Sequence, residues 1–202
     1  MNITYFRKSG IDIILNPLMS DVTTFKLGGP CPILFTCETP EQIEEVVKAF
    51  KADNIDFLTI GEGSNLIVSD EGIKQYVIRY LTKKPDIAQV GQDIFVSGGT
   101  LLDDLAAFCA QAGLEGINYA SGIPGTVGGA IVGNAGAYGK QIADILVSVD
   151  ILDENGNRKQ IEKNELSFSY RESSLKQTKD IVLSAHLLCV TADKEELLKE
   201  RD

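Results

Sequence analysis

Within TPEQIEEVVKAFKAD, Ile43, Val46, Val47 and Phe50 recur at i, i+3, i+4 and i+7, the period of a helix with one buried stripe. Thr39 is placed to cap it, Pro40 suits its first position and Gln42 completes a capping box. The period then changes. IDFLTI, LIVSD, QYVIRY and DIFVSG are short β-type runs, with GEGSN between the first two. TLLDDLAAFCAQAG predicts a second helix, opening on a Thr100 hydroxyl cap and closing at Gly113. ILVSVDILDENGNRKQIEK predicts a hairpin turning at Asn155-Gly156, DIVLSAHLLCV a last strand, and DKEELLKERD a helix from Asp193. Hairpins and isolated helices without strict β-α alternation define an α+β chain. There is no fixed-period repeat, and YLTKKPDIAQVGQ, residues 80 to 92, is the candidate seam between subdomains.

Hydrophobic residues make up 44% of the chain and charged residues 24%, which is ordinary for a globular protein with a packed core. The net charge of -10 argues against nucleic acid as partner, although a local basic pocket could still take a phosphate. No apolar stretch approaches the roughly 20 residues of a membrane span. Near the start, Arg7 and Lys8 precede a short apolar patch that Asp12 and Asn16 interrupt, so no signal peptide is read there. Cys31, Cys37, Cys109 and Cys189 form no C-x-x-C pair and read as small buried hydrophobes in a reducing compartment. With a single histidine and no ligand cluster, no metal is expected. That histidine, His186, lies in a strand-like run and reads as structural.

Two glycine-bearing stretches carry the chemistry. GEGSN, residues 61 to 65, follows an apolar strand as a dinucleotide fingerprint would. Its sixth position, however, is Leu66 and a β-type run follows, so the helix N-terminus that receives a pyrophosphate in that fold is missing. The amides of Gly63, Ser64 and Asn65 form either an anion-binding nest or a plain strand-to-strand turn. SGIPGTVGGAIVGNAGAYG, residues 121 to 139, holds seven of the nineteen glycines. Gly125, Gly128, Gly129, Gly133 and Gly136 leave bare backbone, Thr126 and Ser121 offer donors, and Gly129, Ala130 and Gly133 would admit a flat ring. Tight helix-sheet packing is the competing explanation. It accounts less well for so many glycines beside Asn134 and Tyr138.

These two stretches, with TTFKLGG at 23 to 29 and FSYRESSLK at 168 to 176, occur in one order across nearly the whole chain. Together they resemble the UDP-N-acetylenolpyruvoylglucosamine reductase family. The resemblance implies an FAD-binding fold of the vanillyl-alcohol-oxidase type, with FAD between two α+β subdomains at 1–82 and 83–192. Residues 193–202 would start a further C-terminal element. It implies cofactor contacts from Gly61, Glu62, Gly63, Ser64, Asn65 and Leu66, and from Ser121, Gly122, Ile123, Gly125, Thr126, Gly128, Gly129, Asn134, Gly136, Tyr138 and Gly139. Arg171 matches the family arginine that stabilises the enolate formed when hydride reaches the enolpyruvyl group. Tyr170 would join it at the substrate, with Glu172 as support.

By the same resemblance, NADPH reduces FAD and the flavin reduces UDP-N-acetylglucosamine enolpyruvate, a cytoplasmic step of peptidoglycan precursor synthesis. The chain departs from the family at Lys26, where arginine is usual, and at Gly133, where a larger residue is usual. The family's proton donor and catalytic glutamate come from a C-terminal domain expected beyond about residue 200. Ser167, Ser169, Ser173 and Ser174 do not match the donor's motif. Two readings follow: the FAD-binding part of the reductase, or a flavin-binding module without reductase activity. In either, a partner chain or a second copy would cover an open flavin site. Another alcohol- or sugar-oxidising member of the same fold lacks support, because no His or Cys motif suits covalent flavin attachment.

Overall fold

The computed structural model describes residues 3–201 and divides into two compact units, the first ending at Lys83 and the second beginning at Lys84. The first contains α1 (Ile3–Lys8), β1 (Asp12–Leu15), β2 (Ile33–Cys37), α2 (Pro40–Ala52), β3 (Phe57–Ile60) and β4 (Tyr76–Tyr80). Its sheet has the order β1-β2-β4-β3, with β1 antiparallel to β2 and the other pairs parallel. The stripe Ile43, Val46, Val47 and Phe50 is buried. Phe50 meets Phe35, Phe57 and Tyr76 edge-on at ring separations of 5.1 to 5.6 Å, a favourable arrangement for aromatic quadrupoles.

The cap of α2 departs in one detail. Thr39 Oγ1 accepts from Gln42 N at 3.3 Å as the sequence predicts, but Gln42 Oε1 accepts from Glu38 N at 2.7 Å rather than from Thr39. LIVSD is not a strand. Its backbone runs against the 28–30 loop instead: Gly29 N donates to Ser69 O at 2.8 Å, and a Cβ on Gly29 would stand 2.0 Å from Asp70 O. An apolar run becomes a strand only where a ladder partner exists, and here a glycine loop occupies that side.

The second unit contains β5 (Ile87–Val90), β6 (Asp93–Ser97), α3 (Leu102–Gln111), β7 (Leu114–Glu115), α4 (Val127–Val132), β8 (Gly136–Ala137), β9 (Lys140–Gln141), β10 (Leu146–Leu152), β11 (Arg158–Glu162), β12 (Phe168–Ser169), β13 (Glu172–Ser173), β14 (Ile181–Leu188), β15 (Val190–Thr191) and α5 (Lys194–Arg201). Its main sheet, β11-β10-β14-β6-β5, is antiparallel throughout. α3 and α4 bury Leu102, Leu105, Cys109, Val127 and Ile131 in one core with Ile94, Val149, Ile151 and Leu187 of the sheet. β5 lies inside the stretch read as a seam.

Thr100 does not cap α3, which starts two residues later with no side-chain cap. The Thr100 hydroxyl is fully buried and accepts from Asp86 N at 3.2 Å. Gly113 does close the helix, with φ +67°. In the β10–β11 hairpin only Gly156 of the Asn-Gly pair takes a positive φ, and the Asp153 carboxylate holds the amides of Asn155 and Asn157 at 2.8 and 2.9 Å. α5 is capped by Asp193, which accepts from Glu195 N and Glu196 N. His186 lies in β14, stacked on Phe95 at 4.5 Å with Nε2 2.6 Å from Asp93 Oδ1. The four cysteines are free thiols, all buried. No helix among the described residues is long and apolar enough to cross a membrane.

Candidate functional site

Residues 61–66 leave the C-terminal end of β3 and stay within the first unit. The structure brings them against the 23–29 loop: Thr24 N donates to Gly63 O at 3.2 Å, and a Cβ on Gly63 would stand 2.2 Å from Val22 O. Gly63, at φ +76°, is therefore a glycine both for its conformation and for a close backbone approach. Asn65 is exposed and has no hydrogen-bond partner among the described residues. Arg79 on β4 donates Nε to Gly61 O at 3.4 Å, behind the turn. Burial lowers its pKa, with the Glu62 charge opposing. Sequence reading missed Arg79. Its only signal is a cation in an otherwise apolar strand.

The 121–139 stretch lies within the second unit, and its amides are largely occupied. Ser121 N and Ile123 N donate to Asn118 O and Ala120 O, and Gly122 N donates to Asp103 Oδ1 at 2.8 Å. Val127 N and Gly128 N donate to Thr100 O and Gly98 O, both at 2.9 Å. Gly129 N donates to Thr126 Oγ1, the cap of α4, and the Ser121 hydroxyl donates to Asn118 O. Folding thus engages the Ser121 hydroxyl and many of the surrounding amides, which narrows the expected set of donors; the Thr126 hydroxyl accepts from Gly129 N and keeps its own hydrogen to donate. The Thr126 amide is different. At the bridge between Leu101 and Thr126 it points away from its strand partner, and it has no acceptor among the described residues.

The seven glycines separate by physical cause. Gly122, Gly125 and Gly139 have positive φ. Gly128 and Gly136 admit close backbone, since a Cβ would stand 3.1 Å from Gly98 O at the first and 2.4 Å from Lys140 O at the second. Gly129 and Gly133 have neither reason; each faces its nearest atom at 3.4 Å, ordinary contact distance, and Gly129 is exposed. Backbone conformation explains three of the glycines and close packing two, which leaves a bare strip of backbone on α4 and just past it. Tyr138, at φ +52° in the β8–β9 turn, is 94% exposed.

Asn134 is buried, and its side chain is a clip rather than an open donor. Nδ2 donates to Gln141 Oε1 and to Ser169 O, both at 2.8 Å, while Oδ1 accepts from Ala143 N at 3.4 Å. Ser169 ends β12, and Ser173 in β13 donates its hydroxyl to Val132 O at 2.8 Å. Both arms of the hairpin are thus tied to the glycine-rich segment, and Tyr170 and Arg171 form its exposed tip. Arg171 has φ +58°, unusual for a side-chain-bearing residue, and its guanidinium carbon lies 5.9 Å from the Tyr170 ring centroid. Tyr119 donates to Ala135 O at 3.2 Å. Burial and then the Asp144 charge raise its pKa, while the Arg171 charge opposes them. Sequence reading singled out neither Tyr119 nor Ser173's anchoring role.

An α+β scaffold with an outward amide at Thr126, open backbone at Gly129 and Gly133 and a neighbouring arginine fits a large, flat, anionic cofactor. The chain belongs to the FAD-binding domain family, whose match covers residues 31–162. More particularly, it is similar to the UDP-N-acetylenolpyruvoylglucosamine reductase of Clostridium beijerinckii, at 40% identity over 92% of this chain and 60% of that protein. The crystal structure of UDP-N-acetylenolpyruvylglucosamine reductase from Thermus caldophilus superposes with a TM-score of 0.78, at 34% identity over 95% of this chain and 66% of that one. Glucooligosaccharide oxidase from Acremonium strictum, at 11% identity and a TM-score of 0.68 over 92% of this chain and 42% of that one, shares the fold alone. The fold is the FAD-binding α+β fold of the vanillyl-alcohol-oxidase type. The chain spans about 60% of the length of the curated relatives it matches.

Proposed function

We propose that this chain is the FAD-binding part of a UDP-N-acetylenolpyruvoylglucosamine reductase, which uses NADPH to reduce the enolpyruvyl ether of a UDP-amino sugar to the lactyl ether of UDP-N-acetylmuramate. The observation that carries the reading is the Tyr170–Arg171 hairpin, tied at both arms to the glycine-rich segment by Asn134 and Ser173. It supports a division of labour in which bare backbone receives the cofactor and a fixed cation meets the substrate. The 40% identity to the C. beijerinckii enzyme supports the choice of substrate.

Bound FAD supplies the hydride chemistry; orientation and electrostatics come from the protein. In the first unit, the turn at Gly63 and Asn65 would offer backbone amides to the cofactor. In the second, the Thr126 amide would hold an anionic group of the cofactor and the strip at Gly129 and Gly133 would admit its flat ring. Arg171 carries a guanidinium whose fork of donors matches a carboxylate. Adding hydride to the vinyl ether places negative charge beside the substrate carboxylate, and a guanidinium there lowers the barrier. Tyr170 stacks near Arg171 and limits its freedom. Four free, buried thiols accord with a cytoplasmic setting for this nucleotide-dependent step.

The test is direct. Purified protein is titrated with FAD and followed by flavin absorbance and fluorescence, then assayed for NADPH oxidation with and without the enolpyruvyl UDP-sugar. Bound flavin and substrate-dependent oxidation are expected of the reductase. Failure to take up FAD would overturn the reading. FAD uptake without substrate-dependent oxidation would instead mark a flavin-binding module without reductase activity.

A further inference from the structure

We propose that Arg201, on α5, is a positioning residue for FAD binding, and that docking of α5 is coupled to cofactor occupancy through Asp103 and the Ser121–Gly122 turn. The inference rests on the FAD reading above and adds to it a residue 80 positions away from the turn it controls.

The geometry is a fork. Arg201 Nη2 donates to Asp103 Oδ2 at 2.8 Å, and Nη1 reaches Asp103 O and Ser121 Oγ, each at 3.3 Å. The other Asp103 oxygen, Oδ1, accepts from Gly122 N at 2.8 Å. Asp103 is thus a bridge, with the α5 guanidinium on one oxygen and the loop amide on the other. A second tie runs alongside it, where Asn118 Nδ2 donates to Glu200 Oε2 on α5 and Asn118 O accepts from the Ser121 hydroxyl.

Gly122 shows why the bridge matters. It has φ +73°, and a Cβ built on it would meet nothing within 4 Å, so packing does not hold this residue in place. Its amide bond to Asp103 does. Four residues further on stands Thr126, whose outward amide is offered to the cofactor. A turn held by hydrogen bonds rather than by packing transmits a change in those bonds to the loop it opens. Partial burial pushes the Asp103 carboxyl up, but the Gly122 amide and the Arg201 guanidinium outweigh it and hold the group below its ordinary value. The carboxylate is therefore charged over the whole working range and fit for a charge-assisted bridge. Linkage requires reciprocity: if docked α5 favours FAD binding, bound FAD stabilises α5 docking by the same factor.

The experiment uses the apo-protein titrated with FAD, in wild type, Arg201→Ala, Arg201→Lys and Asp103→Asn, with amide hydrogen exchange of α5 measured with and without FAD. Arg201→Ala and Asp103→Asn are expected to weaken FAD affinity by about tenfold, within the usual range of coupling. Arg201→Lys, which keeps the charge but loses the fork, should fall between. FAD should slow exchange across α5 in wild type and lose that effect in Arg201→Ala. The wild-type exchange measurement stands even if a variant fails to fold. Unaltered FAD affinity in the variants, or α5 exchange indifferent to FAD in wild type, would overturn the coupling while leaving the FAD reading in place. A wild-type protein that binds no FAD would overturn both.

Discussion

Asn134 donates Nδ2 to Ser169 O at 2.8 Å, and this bond fastens the hairpin that presents Arg171 to the loop that presents bare backbone. A short amide side chain, itself at φ +42°, joins two segments 35 residues apart. Replacing it with alanine removes both Nδ2 bonds and leaves the buried Ala143 amide without its Oδ1 acceptor. We expect Asn134→Ala to cost about 1–3 kcal/mol of stability in urea denaturation. It should also lower substrate-dependent turnover while leaving FAD affinity within a few-fold. A variant as stable as wild type would remove Asn134 from this role.

Arg171 stands at the exposed tip of its hairpin, so its removal leaves the core intact. In a form of the protein competent for turnover, Arg171→Ala should bind FAD as wild type does and lose about a hundredfold or more in turnover, the size expected for a lost charge stabiliser. Arg171→Lys should recover only part, because an ammonium has no fork. Turnover unchanged in Arg171→Ala would exclude the residue from the reaction.

The glycines divide into two groups with opposite expected behaviour. Gly129→Ala places its Cβ 3.4 Å from Thr126 Oγ1 in a helix, so stability should hold or rise by about 0.5–1 kcal/mol while FAD affinity falls. Gly98→Ala and Gly136→Ala would put a Cβ 2.2 Å from Val182 O and 2.4 Å from Lys140 O, so both should destabilise the fold outright. Thermal melts with and without FAD separate the two groups. Loss of stability in Gly129→Ala would show that its backbone is packed after all.

Burial, aided by the Glu45 charge, pushes the Cys37 thiol up to about 12. In the unfolded chain the thiol ionises near its ordinary value of 9, so between pH 9 and 12 the unfolded state holds fewer protons than the folded state. Stability is therefore complete below pH 9 and declines as pH rises through that window. Urea midpoints measured at pH 8 and pH 11 should fall less in Cys37→Ala than in wild type. An equal fall in both would assign the alkaline loss to other groups.

Local patterns were enough to read α2 with its buried stripe, the β10–β11 hairpin, the helix from Asp193 and the α+β class, because period, caps and turn residues act over a few positions. The glycine-rich segment and Arg171 were also legible, as an unusual density of one residue type and as a motif. Tertiary structure decided what those patterns could not hold. LIVSD lost its strand because a glycine loop occupies its flank, and Thr100 gave up a cap to accept from Asp86. Of the seven glycines, only contact with distant backbone such as Gly98 O and Lys140 O separates those required by packing from Gly129 and Gly133. Arg79, Asp103, Asn134 and Arg201 take their roles from partners 18 to 98 residues away. A sequence reports which side chains are available and how each short stretch prefers to fold. Which hydroxyl, amide or cation remains free once all the others have found partners is settled only when the chain closes on itself.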